Sequence, residues 1–310
     1  MSLSEQRIPE FLRERPLWHF YVTGVVVLLL SGWLWWAKFY TAPTHVFRSM
    51  LANSLSTRSF TTEASSTDGQ NSLRQLIHTD VQVARAQSIL ELKQGSTHVK
   101  KEIIGTRSTD YTRFLAIHSD QKDASGKPAD TSNVLNVWGK SDGTAQSETT
   151  TNAQQLYAMS TLGVGLPIGS TPVPIGQLQP RERQELLERI QSERVYQPDY
   201  KHVKKERKNG RLLYTYDVKI QAILYIRLMQ SFGQQLGLAE LDKVDANTYS
   251  SIPTLSVKLT IDAVSHRLVR ADNGQGYVQN YSGYDIPLTA SVPKNAISAE
   301  ELQFRLDDKL

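Results

Sequence analysis

The sequence predicts an α+β protein: a transmembrane helix near the N-terminus, then a curved antiparallel β-sheet, a half-barrel, packed around helices. Three observations predict it. An uncharged apolar run stands near the N-terminus, and strand-like alternation recurs through most of the remaining chain. The helical segments interrupt runs of strands instead of alternating with them, which favours α+β over a parallel α/β sheet.

The apolar run extends from Phe20 to Ala37 without a charge. A helix of about 18 to 20 such residues rises far enough to cross a hydrocarbon core of about 30 Å. Trp33, Trp35, Trp36, Phe39 and Tyr40 with Lys38 form a collar at one end, and Trp18, His19 and Tyr21 form one at the other, as expected at membrane interfaces. Arg7, Arg13 and Arg15 before the run suit a signal-anchor with its N-terminus inside; cleavage near Ala42 is the alternative. The expected organisation is a short cytoplasmic tail (1–18), a signal-anchor helix (19–40) and an extracytoplasmic domain (41–310) of a bacterial envelope protein. The chain has no cysteine, which excludes disulfides, a lipidated N-terminal Cys, thiolate metal sites and thiol catalysis.

After the anchor, Val46, Phe47, Met50, Leu51 and Leu55 fall on one face of a helix over Pro43–Thr57, with Pro43 in its first turn. Strands are expected around Gln82–Lys93, His98–Thr106 and Tyr111–His118, with a turn at Gln94-Gly95-Ser96. Residues 121–132 are polar and read as a loop, and Asn133–Gly139 as a further strand. A capped helix is expected over Thr151–Met159 and another over Pro180–Arg194, with its acids early and bases late. Asn209-Gly210 marks a two-residue hairpin turn within Lys201–Ile220. Leu212, Tyr214, Tyr216, Val218 and Ile220 point one way from it. Gln221–Leu238 is the most apolar helix of the domain. A second hairpin joins Leu255–Ile261 to Leu268–Arg270, and Gly276–Asn280 and Pro287–Val292 read as the last strands.

Chemistry-bearing motifs are absent from the sequence. There is no phosphate loop, nucleophile elbow or zinc-protease helix, and the seven histidines show no metal-ligand spacing. No enzyme activity, cofactor or metal is expected. The 35 Lys+Arg and 31 Asp+Glu nearly balance, giving no reason to propose nucleic acid as a partner. Lys201, Lys204, Lys205, Arg207 and Lys208 form a local basic cluster, read as a solvated hairpin face, with contact to anionic headgroups as the alternative. The apolar segment Leu162–Ile175 reads as an irregular piece packed on the core, or as a flap over a cavity mouth.

Three stretches carry a family resemblance: the helix Val46–Leu55, the hairpin Leu259–Arg270, and Tyr281-Ser-Gly-Tyr-Asp-Ile-Pro-Leu288 followed by Val292-Pro293. In this order, over about residues 43–300, the chain resembles the LolA-like superfamily, including the LppX/LprG type of envelope lipoproteins. The resemblance implies a half-barrel closed by helices around an apolar cavity that binds acyl chains of lipids or lipoproteins without catalytic residues. This chain departs from the pattern in lacking a lipobox cysteine and carrying an anchor helix. The expected function is a membrane-anchored binding module for lipid or lipid-modified cargo, with Leu224, Leu228, Met229 and Phe232 lining the cavity and Leu166 and Ile168 at its mouth. The alternative is a structural or assembly protein that uses the sheet to hold envelope protein partners.

Overall fold

A computed structural model describes residues 18–120, 130–142, 156–162, 171–238, 242, 244–252, 254–274 and 278–307. The first helix, α1 (Trp18–Trp35), runs into a π-helical turn, Trp36–Tyr40. Tyr21–Tyr40 is 20 residues long, apolar enough to cross a membrane, and no part of it is buried against the rest of the chain. Thr41 and Ala42 turn the backbone, and α2 (Pro43–Ser54) follows with Pro at its N-terminal turn and Val46, Phe47, Met50 and Leu51 buried.

Five antiparallel strands come next: β1 (Ser59–Asp68), β2 (Asn71–Asp80), β3 (Arg85–Gln94), β4 (Thr97–Gly105) and β5 (Thr109–His118), with β6 (Gly139–Asp142) paired to β5. Two helices, α3 (Leu156–Leu162) and α4 (Pro180–Ser192), lead to β7 (Tyr196–Pro198), β8 (Lys204–Lys208) and β9 (Arg211–Ile220). After α5 (Ala222–Gln235) the chain returns through β10 (Leu255–Asp262), β11 (Arg267–Asp272) and β12 (Val278–Ser282). It ends with β13 (Ile297–Ser298) and α6 (Ala299–Asp307). Because β12 pairs with β1, both sets of strands join in one 13-stranded sheet, ordered β13-β6-β5-β4-β3-β2-β1-β12-β11-β10-β9-β7, with β8 also on β9. The sheet is open, and antiparallel except where β13 meets β6. The molecule is therefore mixed α+β.

Several local expectations need correction. The longest hairpin, β1–β2, had no expected counterpart, because β1 reads Ser-Phe-Thr-Thr-Glu-Ala-Ser-Ser-Thr-Asp; hydroxyl side chains give it no apolar alternation. Residues 131–136 turn instead of forming a strand, and β6 starts only at Gly139. Pro287–Val292 forms no strand but a strap: Ser59 Oγ donates to the Ile286 carbonyl (2.6 Å), Leu288 N–H donates to Asp80 (3.1 Å), and Arg85 donates to the Ala290 carbonyl (2.7 Å). The strap ties the ends of β1, β2 and β3 before the chain reaches β6. Most of the expected loop 121–132 and the start of the expected helix Thr151–Met159, with its cap, lie outside the described residues. The other expected elements match within a few residues where described, and the Asn209-Gly210 turn has the positive φ values (50° and 77°) its hairpin requires.

Candidate functional site

The sequence nominated the surroundings of α5. Leu228 and Phe232 are 0% exposed and Met229 is 1%, all within the main core cluster, and Leu224 packs against it half-buried. The packing there is close at two points. A Cβ on Gly176 would lie 2.9 Å from the Phe232 ring, and one on Gly233 would lie 2.9 Å from the Leu238 carbonyl. Leu166 and Ile168 lie outside the described residues. The end of the segment they belong to, Thr171–Gly176, is wholly buried. Tyr196 donates to the Pro172 carbonyl (2.9 Å), Tyr225 donates to the Thr171 carbonyl, and Gly176 N–H donates to Ser54 (2.9 Å). Where described, this segment packs on the core.

A different apolar surface is left open among the described residues, on the same face of the sheet that α3 covers. The strand registers define four rows across β2–β5. Thr79, Ala86, Gly105 and Asp110 form the innermost; all four are buried beneath α3, where a Gly105 Cβ would meet Leu156 at 2.6 Å. The next row is Ile77, Ser88, Ile103 and Thr112; the third is Gln75, Leu90, Lys101 and Phe114; the outermost is Leu73, Leu92, Val99 and Ile117. Burial falls along this series. Leu73, Leu90, Val99, Phe114 and Ile117 are half-buried, and Leu92 is 37% exposed. A register shift at Lys100/Lys101 puts one extra residue into β5. It turns Ile117 to the side of Phe114, as bulges re-aim side chains.

Lys101 stands in the middle of this apolar face, and burial pushes its ammonium below the usual lysine range. It has no acidic partner among the described residues. The opposite face of the same strands carries ion pairs, Arg74 with Glu63 (2.7 Å), His98 with Glu91 (2.9 Å), and Arg113 with Glu102 (2.5 Å) while stacked 4.6 Å from the Trp138 ring, interspersed with Leu76, Ile89 and Tyr111. The helix-bearing face thus differs in having, among the described residues, an uninterrupted apolar outer row beside a desolvated cation.

The family comparisons add no assignment. No protein-family model matches the chain, and no curated protein matches its sequence. The site therefore stands on its geometry.

Two further places complete the survey. An open cleft of about 550 Å³ lies between β7, β9, β10 and β11, lined by Asp199, Asp217, Lys219, Lys258 and Asp272 among others; its lining is too charged for an acyl chain. Among the described residues no group of three or more His, Asp or Glu is placed to hold a metal. At the end of the apolar N-terminal segment, Tyr40 donates to the Val264 carbonyl in the β10–β11 turn (2.9 Å), and its ring lies 4.5 Å from that of His266. His45 stacks edge-on to His266 at 5.3 Å. Burial, then the neighbouring His45, pushes the His266 imidazole below the usual histidine range. Asn53 donates to the Ser265 and His266 carbonyls, so α2 and the anchor grip one turn of the sheet together.

Sequence reasoning missed the open face for two reasons. The alternation Ser88-Leu90-Leu92 and Val99-Lys101-Ile103 was legible, but which rows helices cover is a tertiary fact. The placement of Ile117 depends on the bulge, which period-two reading cannot detect.

Proposed function

We propose that this protein is a membrane-anchored, non-catalytic binding module for lipid or lipid-modified cargo. Its α1–Tyr40 segment spans the cytoplasmic membrane with the N-terminus inside and the domain from residue 41 outside. The observation that carries the reading is the run of half-buried apolar side chains on the helix-bearing sheet face: Leu73, Leu92, Val99 and Ile117, with Leu90 and Phe114 behind them. An acyl chain laid across four strands would remove its methylenes from water at about 0.8 kcal/mol each, a driving force that needs no reactive group. The open antiparallel sheet with helices on its buried face is compatible with the LolA-like architecture, including a half-barrel, that the sequence resembles.

The fit of the chain around α5 favours a second reading. A core that closed suits a scaffold whose edge strands hold envelope proteins, with Leu224, Leu228, Met229 and Phe232 as its filling. One experiment separates the two. Membranes carrying the full-length protein are given a photoreactive fatty acid, and the labelled peptides are mapped by mass spectrometry, with α1 as the internal control for lipid contact. Binding on the sheet face predicts labels on β2–β5, reduced by Leu92→Asp with Val99→Asp. Labels confined to α1 would leave the scaffold reading. Protease treatment of cells with the outer barrier opened tests the orientation: a domain that stays protected beyond residue 41 would place it in the cytoplasm.

A further inference from the structure

With α1–Tyr40 read as a membrane span, hydrogen bonds along β9 set the level of the basic hairpin β8–β9 relative to the bilayer. Along β9, the Tyr216 hydroxyl donates to the carbonyl of Pro43 (3.0 Å), three residues beyond the apolar span. Four residues earlier, the Leu212 carbonyl accepts from Ala263 N–H (2.8 Å), and the adjoining Val264 carbonyl accepts from Tyr40, the last residue of the span. The strand therefore descends toward the anchor as it is followed back from Tyr216 to Arg211. The Asn209-Gly210 turn lies two to three residues further, about 7–10 Å at the rise of a strand. An aromatic at the end of a span sits in the headgroup zone, which is only about 5–8 Å deep per leaflet. The tip reaches it.

The tip carries Arg207, Lys208 and Arg211, all exposed, with Lys38 at the end of the span. Lys208 lies directly opposite Arg211 in the register; like charges in that position destabilise a hairpin. Asp262 approaches Arg211 only at 3.9 Å, and Glu206 is the one acid on β8. An anionic surface facing the tip would relieve this repulsion.

We propose that the β8–β9 tip, through Arg207, Lys208 and Arg211, binds anionic phospholipid headgroups and so fixes the orientation of the domain on the bilayer. This rests on the reading of α1–Tyr40 as a membrane span and is independent of whether the sheet face binds acyl chains. The partner is a lipid surface because the tip and the anchor are joined through one turn of the sheet, so the bilayer is the anion source always within reach.

The test uses the full-length protein in lipid nanodiscs. The native chain has no cysteine, so a Glu206→Cys variant carries a single dye, quenched by lipids labelled at the headgroup. Discs of zwitterionic lipid are compared with discs that also contain an anionic lipid. Stronger quenching in the anionic discs is expected, reversed when salt shortens the Debye length to about 3 Å. Each basic group at an anionic surface is worth about a five-fold change in occupancy, so adding Arg207→Gln and Lys208→Gln should weaken the lipid-dependent docking by about 25-fold. These two changes leave the Asn209-Gly210 turn and the Arg211–Asp262 contact in place. Quenching that ignores lipid charge, or that the double substitution leaves unchanged, would overturn the proposal. Failure of the chain to co-elute with discs would instead remove the span on which it rests.

Discussion

Replacing Asp110 by Asn should stabilise the protein at neutral pH and leave it unchanged in acid. Asp110 is 8% exposed and lies under α3, where the Leu156 N–H donates to both of its oxygens (2.8 and 2.9 Å). Burial outweighs that hydrogen bond and pushes its carboxyl from 3.8 up to about 7. Below about pH 4 the group is neutral in both the folded and unfolded states. Between about pH 4 and 7 the unfolded chain has released the proton while the folded chain keeps it, so wild-type stability falls as pH rises. The shift of roughly 3 units corresponds to a ceiling of about 4 kcal/mol, fully lost above pH 7. Asp110→Asn cannot ionise and keeps an oxygen for Leu156. Urea unfolding of both proteins, followed at steps from pH 4 to pH 8, should give curves that coincide at the acid end. They should diverge by about 1.4 kcal/mol per pH unit and run parallel above pH 7. A constant difference across the range would mean that Asp110 is charged in the folded state and that the α3 contact is solvated.

Three further outcomes are expected. Leu228→Trp should cost about 1–3 kcal/mol by overpacking, since Leu228 is fully buried; an unchanged melting temperature would reveal room for a ligand beside α5. Leu29→Arg should oppose membrane insertion by about 2.5–3.5 kcal/mol, seen as release into the supernatant on alkaline carbonate washing, and full retention would argue against the span. Lys101→Met should raise the melting temperature at pH 7. The desolvated ammonium disfavours the folded state below its depressed pKa, so the advantage should shrink as pH rises toward the ordinary lysine range; a gap independent of pH would assign the gain to packing alone.

The division between what the sequence made legible and what it did not follows physical range. α2, α4, α5 and the β8–β9 and β10–β11 hairpins are written in local terms: apolar spacing at 3.6 or 2, Pro in a first helical turn, Asn-Gly at a tight turn. β1 is not, because its sheet position is fixed by Thr62 opposite Tyr281 and Ile77; partners on both sides compensate for a hydroxyl-rich strand of low intrinsic preference. The strap, from Ile286 to Ala290, is held by Ser59, Asp80 and Arg85, each more than 200 residues away, and its Pro-containing apolar sequence mimics a strand. At the candidate site, the apolar character of α5 was legible, but apolarity alone does not distinguish a cavity wall from a filled core. That distinction lies in Gly176 and Gly233, which let neighbouring groups close on the helix.

The apolar N-terminal helix and the rest of the chain are coupled through one turn. Ala263–His266 is bonded to Leu212, to Asn53 and to Tyr40, so it joins β9, α2 and the end of the span within a few residues. A long flexible linker would let the domain sample every orientation. Here Thr41 and Ala42 alone separate the span from α2, and the Tyr40 ring is stacked on His266. The apolar rows of β2–β5 run from the Asp110 end, which lies on the same side of the sheet's strands as the β10–β11 turn, to the Leu92 end, which lies on the opposite side. The open end of the face is thus directed away from the anchoring turn.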